Sequence, residues 1–253
     1  GYCRRNNYLQ EKMKMNIPRI PRSVVPNLFT AMNMFAGFLS IINASQGKFK
    51  YAAWLIFIAA IFDALDGFMA RLTKSSSELG VQLDSLSDVV SFGVAPAFLI
   101  YQTYFYQFNS WGIILSSLLM IAGGFRLARF NVQLVGFDKA YFKGLPIPSS
   151  AITIAGFILA YYKPDIGFSE PYNYFIIPMV LLLSFVMVSK IKYDTLPKLT
   201  RQGLREKPGL VIFIVISAIA LIVTKGNALF YVFVFMVLFG IFRHIFNKIN
   251  KNF

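Results

Sequence analysis

Apolar residues run along this chain in long blocks separated by short polar or basic stretches. Eight blocks approach or exceed the length of a membrane span: residues 27–46, 51–71, 76–106, 110–130, 149–162, 172–189, 208–224 and 227–247. A spanning helix needs about 20 predominantly apolar residues. The third block is longer than that, so part of it is expected in or near the interface, and the fifth is the shortest. No internal repeat or low-complexity tract interrupts the series. The pattern predicts an all-α polytopic membrane protein with about eight transmembrane helices.

Composition supports this reading. Of the 253 residues, 57% are hydrophobic, 17% aromatic and only 14% charged, against about 25% charged in an average soluble domain. Mean hydropathy is +0.59. Cys3 is the single cysteine and His244 the single histidine. A disulfide framework and a thiolate metal centre are therefore excluded, and a His-dependent triad would rest on one residue near the C-terminus.

The net charge of +14 would suggest nucleic acid in a soluble protein. In a membrane protein it is explained by basic cytoplasmic loops facing anionic headgroups, and no nucleic-acid partner is expected. With the N-terminus inside, only Lys48, Lys50, Lys163 and Lys225 fall outside, while the other 21 of 25 basic residues face the cytoplasm. That asymmetry predicts eight helices with both termini cytoplasmic. The first apolar run is as long as a span and follows basic residues, so it reads as an anchor and not as a cleaved signal. Met13 and Met15 are candidate starts, and residues 1–25 form a basic interfacial segment.

Four carboxylates stand out because ionisable residues within spans are costly and usually functional. Asp63 and Asp66 lie near the end of the second run, and Asp84 and Asp88 early in the third. Asp63, Asp66, Gly67, Ala70 and Arg71 share one helix face, as do Gly80, Asp84 and Asp88. Ser75 and Glu78 read as a capping box, which predicts a third helix starting near Ser76 after a short turn. Two adjacent helices would then bring four carboxylates to one cavity.

Two like charges 4 Å apart repel by about 4 kcal/mol even at an effective dielectric of about 20. Either some carboxyls stay protonated or cations neutralise them. Oxygen ligands without His or Cys select Mg²⁺, Mn²⁺ or Ca²⁺. Two divalent ions would balance four aspartates and could clamp a phosphoryl group. Gly67, Ala70 and Gly80 leave room for a pyrophosphate or nucleotide, or alternatively for close helix packing. Arg71 offers a planar fork to phosphate, or snorkels to the interface. A structural ion-pair network would need more cations than Arg71 and Lys74 supply.

Residues 66–88 read Asp-Gly-x2-Ala-Arg-x8-Gly-x3-Asp-x3-Asp. This resembles, without departure in type or spacing, the signature of the CDP-alcohol phosphatidyltransferase family, and Asp63 matches an extra aspartate upstream. The resemblance implies a six-helix catalytic core at residues 26–190, followed by a loop and two C-terminal helices at 191–253, in a homodimer. It implies displacement of CMP from a CDP-linked lipid by an alcohol. Asp63, Asp66, Asp84 and Asp88 match ligands of two metal ions, Mg²⁺ or Mn²⁺ before Ca²⁺. Asp88 also matches the proposed general base, and Asp84 stands beside it among the catalytic residues. Asp66, Gly67, Ala70, Arg71 and Gly80 match contacts to the CDP-lipid. Pro26-Asn27-x2-Thr30 resembles an element lining the nucleotide site, although Asn27 and Thr30 would equally serve as helix caps.

Residues 125–131, with Arg126, Arg129 and Asn131, and residues 143–150, opening with Lys143, resemble elements of the membrane-integral phosphatidylserine synthase branch. Arg126 and Arg129 share a helix face and could bind carboxylate or phosphate, or serve as positive-inside anchors. The expected substrates are CDP-diacylglycerol and L-serine, with glycerol 3-phosphate or inositol phosphate as alternative acceptors. The expected setting is a prokaryotic plasma membrane, among its lipids, with the site facing the cytoplasm. From other classes, a cation-coupled transporter would use the carboxylates as an ion site, but no inverted repeat is visible. An intramembrane aspartyl protease needs two aspartates, not four with Arg71.

Overall fold

The computed structural model describes residues 24–73, 77–135, 144–191, 193, 224 and 228–249. The N-terminal segment before Val24, Ser75, Lys143 and the seventh apolar run up to residue 223 lie outside the described residues. Helices α1 (Val24–Ser45), α2 (Phe49–Thr73) and α3 (Glu78–Thr103) are long and apolar enough to cross a membrane. So is the stretch Phe105–Val132, which holds most of α4 (Asn109–Val135). Shorter apolar helices follow: α5 (Ile147–Tyr161), α6 (Ile176–Val188) and α7 (Ala228–Ile249). The protein is therefore a predominantly helical, membrane-type bundle.

α1 and α2 form a tight hairpin. Gly47 adopts φ +74°, a conformation open mainly to glycine, and lets the chain reverse over three residues. Within the hairpin Ser40 Oγ donates to the Ala52 carbonyl at 2.8 Å. α3 packs against α1 through two more such links, Ser87 Oγ to the Thr30 carbonyl at 3.0 Å and Ser91 Oγ to the Asn33 carbonyl at 2.8 Å. Where apolar packing gains nothing over lipid, such hydroxyl links and close contacts between small residues hold helices together. At Gly37 a Cβ would meet the Ser91 hydroxyl and stand 2.6 Å from the Ser91 Cα, so a side chain there would force α1 and α3 apart.

One expectation is corrected. The cap of α3 is Ser77, not Ser75: its side chain accepts the Gly80 N–H at 3.0 Å, and the helix starts at Glu78. Ser77 has the extended backbone (φ −125°, ψ 153°) of a cap. Tyr162–Lys163 and Gly167–Phe168 pair as a short antiparallel ladder where the chain reverses after α5. Phe168 thereby stacks on Phe157, with centroids 5.3 Å apart.

Within α3 the helix widens to a π-helical turn at Val89–Val94, immediately after Asp88. Such turns commonly mark functional sites, because the extra residue re-aims neighbouring side chains. α4 runs beside α6, and α7 packs on α5. The α7 contact is close: a Cβ on Gly156 would stand 2.9 Å from the Phe230 backbone nitrogen. Tyr193 donates its hydroxyl to the Val237 carbonyl at 3.2 Å and lies against Gly240, fastening α7 to the chain that leaves α6.

Candidate active site

The last turns of α2 and the first turns of α3 meet at one end of the bundle and carry the four aspartates. Asp63, Asp66 and Asp84 each place a carboxylate oxygen within 4.8 Å of the others. Asp88 lies outside that trio but within side-chain hydrogen-bonding reach of Asp63. Asp66 and Asp88 are buried, while Asp63 and Asp84 are half-buried. The antiparallel α2–α3 turn makes this arrangement: residues three and four apart on each helix share a face, and the two faces oppose one another.

The carboxylates are under-partnered. Asp66 Oδ2, Asp84 Oδ1 and Asp88 Oδ1 are buried without a hydrogen-bond partner. A buried polar atom left unpaired is costly, and three carboxylate oxygens in that condition beside one another describe a site built for a positive charge. The donor set is hard oxygen only, which fits Mg²⁺ or Mn²⁺. The residues present therefore fit the divalent metal implied by the sequence.

Small and hydrogen-bonding residues surround the carboxylates. Thr30 on α1 reaches towards the Asp66 carboxyl. Gly80 faces Asn27, whose Oδ1 would be 3.4 Å from a Cβ at that position. The structure thus joins the Pro26–Thr30 element to the motif helix. Gly67 leaves space that the Arg71 guanidinium uses, with Nη1 3.6 Å from where a Gly67 Cβ would be. Ala70 is half-buried and Arg71 exposed at the rim.

The expected acceptor residues separate into distinct roles. Arg126 is 8% exposed, its Nε is buried without a partner, and its charge faces Asp88. Arg129, one turn later, is engaged elsewhere: Nη1 donates to the Val188 carbonyl at 2.9 Å and Nη2 to the Ser189 carbonyl at 3.3 Å. These are end carbonyls of α6 that lack a helical partner. Gly144, at φ +92°, packs under Arg129 and against the Met187 carbonyl, where a Cβ would not fit. Asn131 donates to Ser85 Oγ at 2.9 Å, tying the end of α4 to α3 beside Asp84.

Sequence reasoning passed over Asn33, Ser87, Ser91 and Ser184, all buried polar residues in the bundle. For the first three the signal was present as polar residues recurring at helical spacing within apolar runs: 30, 33 and 40 on α1, and 84, 87, 88 and 91 on α3.

Comparison with known proteins supplies the context for this geometry. The sequence profile for CDP-alcohol phosphatidyltransferase matches residues 23–189. The chain is 37% identical over 242 residues to the CDP-diacylglycerol–serine O-phosphatidyltransferase of Helicobacter pylori strain J99, covering 93% of this chain and 99% of that protein. It is 39% identical over 182 residues to the protein of that name in a second H. pylori strain, covering 72% and 76%. It is 38% identical over 171 residues to the archaetidylserine synthase of Methanothermobacter thermautotrophicus, covering 67% and 69%. Matched across most of its length, and carrying its aspartates on two facing helices, the chain belongs to the CDP-alcohol phosphatidyltransferase family.

Proposed function

We propose that this protein transfers the phosphatidyl group of CDP-diacylglycerol to the hydroxyl of L-serine, releasing phosphatidylserine and CMP. The observation that carries the reading is the cluster of Asp63, Asp66 and Asp84, with oxygens within 4.8 Å of one another at the foot of apolar helices. A charged pyrophosphate on a lipid needs a cation-loaded site at the membrane edge. The names of the relatives support serine as acceptor.

Asp63, Asp66, Asp84 and Asp88 would hold the divalent ions, Mg²⁺ or Mn²⁺ and two per site, which neutralise pyrophosphate charge and polarise the phosphorus when bound. Asn27, Thr30, Gly67, Ala70 and Gly80 line the CDP side with small or hydrogen-bonding groups. Arg71 at the rim offers its guanidinium to the phosphate that becomes part of CMP. Asp88 takes the proton of the serine hydroxyl as that oxygen attacks the phosphorus beside diacylglycerol. The phosphorus–oxygen bond to CMP breaks, and CMP leaves carrying the bonding electrons. Arg126, facing Asp88, holds the acceptor. Arg129 and Asn131 form the walls around it, and Lys143, outside the described residues, completes the acceptor set. The catalytic core spans residues 26–190. The protein lies in a prokaryotic plasma membrane with this end of the bundle towards the cytoplasm, as a homodimer.

The test is CMP release by the purified protein in detergent, with CDP-diacylglycerol, Mn²⁺ or Mg²⁺, and L-serine, glycerol 3-phosphate or inositol phosphate supplied separately. Metal-dependent release with serine alone is expected. Release with a phosphorylated acceptor instead would overturn the acceptor. Isotope flux across vesicles with no lipid product would place the carboxylates in a transporter.

A further inference from the structure

One buried polar group without a partner lies on α6. Many buried hydroxyls of the bundle have a carbonyl partner. Thr30, Thr103, Ser116 and Thr153 donate to the carbonyl four residues earlier, and Ser189 to the one three earlier. Ser40, Ser87 and Ser91 donate across to a neighbouring helix. Ser184 does neither. It is 8% exposed, and its Oγ is buried with no hydrogen-bond partner. A helical serine normally bonds back to the preceding turn, so its hydroxyl is held available at a cost in stability.

Its location gives the hydroxyl a companion. The bonds from Arg129 to the Val188 and Ser189 carbonyls fix the register of α4 against α6. One turn back from Arg129 is Arg126, and one turn back from Val188 is Ser184. The two therefore stand at the same level on packed helices. Both are buried, and the Arg126 Nε is the other unpartnered donor at this level. α5 closes the third side, because the Leu145 N–H donates to the Val186 carbonyl at 3.2 Å and Ser149 follows one turn later. Arg126 also faces Asp88, so this pair of donors adjoins the carboxylate site.

We infer that Ser184 is a specificity-determining residue of the acceptor pocket, sharing with Arg126 the carboxylate of an α-amino acid whose hydroxyl is the attacking group. This rests on the serine reading above. One guanidinium edge and one hydroxyl serve the two oxygens of a planar monoanion. A phosphorylated alcohol brings three terminal oxygens and greater charge, which two donors leave unsatisfied.

The experiment compares wild type, Ser184→Ala and Ser184→Thr by CMP release. It measures kcat and KM for L-serine, KM for CDP-diacylglycerol, and inhibition by L-serinamide, which lacks the carboxylate. Loss of a hydrogen bond to a charged group is expected to raise the serine KM by about tenfold in Ser184→Ala, with KM for the CDP-lipid unchanged. The preference for serine over serinamide should shrink by the same factor, and Ser184→Thr, which keeps the hydroxyl, should restore most of it. A structural role would lower kcat and the melting temperature without touching that preference. Should alanine lower the melting temperature, Ser184→Cys, which keeps the volume, carries the same expectation. Wild-type activity with serine combined with an unchanged serine KM and preference in these variants would overturn the inference alone. Wild type inactive with serine but active with another acceptor would overturn the serine reading and the inference built on it.

Discussion

The two ends of the bundle are held together by different means. At the carboxylate end, α1, α2 and α3 are linked by hydroxyl-to-carbonyl bonds from Ser87 and Ser91 and by the close approach at Gly37. At the other end the Ser40 link to the Ala52 carbonyl is accompanied by many aromatic contacts. Tyr161 stacks on Tyr172 with centroids 4.0 Å apart, Phe157 meets Phe168 and Phe230, and Phe49 meets Tyr162 edge to face. Hydrogen bonds fix distances to a few tenths of an ångström, whereas aromatic faces slide at small cost. The aspartate cluster sits at the end where hydroxyl links join α1 to α3.

The largest effect is expected from Asp88→Asn. Asparagine keeps the shape but cannot take the serine proton, so kcat should fall by about 10²–10⁴-fold. CDP-lipid binding and melting temperature should hold. Undiminished turnover in a folded preparation would remove Asp88 from the base role, and with it the argument that this end is rigid for catalysis.

Two glycine substitutions set the ends directly against each other. Gly37→Val and Gly156→Val each overpack a helix contact, and each should cost about 1–3 kcal/mol of stability, read as a lower melting temperature in detergent. Gly37→Val moves α1 against the helix bearing Asp84 and Asp88, so kcat should fall at least tenfold in the protein that remains folded. Gly156→Val displaces α7 from α5, and kcat should stay within about threefold. Equal losses of kcat would mean that the two ends are mechanically coupled and that rigidity is not local.

Ser91→Ala is a milder probe of the same difference. It removes the link to the Asn33 carbonyl at a cost of about 1 kcal/mol, and a fall in kcat of a few fold is expected with no change in the serine preference. A Ser91→Ala enzyme indistinguishable from wild type would show that the Ser87 link and the Gly37 contact set the α1–α3 spacing without it.

Much of this was legible in the sequence, for physical reasons that differ by region. The aspartates were legible because a charged residue inside an apolar run is rare enough to be a signal alone, and its spacing gives its helix face. The helices were legible because the bilayer imposes their length: the run at 51–71 became Phe49–Thr73. The duties of Arg126 and Arg129 were not. At i and i+3 they look alike, and only the register of α4 against α6 shows that Arg129 reaches the α6 end carbonyls while Arg126 stays buried with a free Nε. The cap of α3 was missed by two residues because three consecutive serines offer equal chemistry in the sequence. Asn33 and Ser184 were passed over because one polar residue in an apolar run has an ordinary explanation in helix packing, and only its missing partner says otherwise.

Tyr231→Phe is the smallest and most discriminating test of the aromatic end. Tyr231 and Tyr161 share a hydrogen bond between their hydroxyls, which is the side-chain polar link between α7 and α5 among the described residues. If that end is held by ring packing, deleting one hydroxyl should cost no more than about 1 kcal/mol, because both rings remain seated against Phe230 and Tyr172. Melting temperature should drop by at most a few degrees, with kcat and both KM values unchanged. Tyr231→Ala, which removes the ring as well, should cost roughly 2–3 kcal/mol more. The ratio of the two losses measures how much of the attachment is contact and how much is hydrogen bond. A phenylalanine variant as unstable as the alanine variant would make the hydroxyl pair the true fastening of α7, and the two ends would then be built on the same principle.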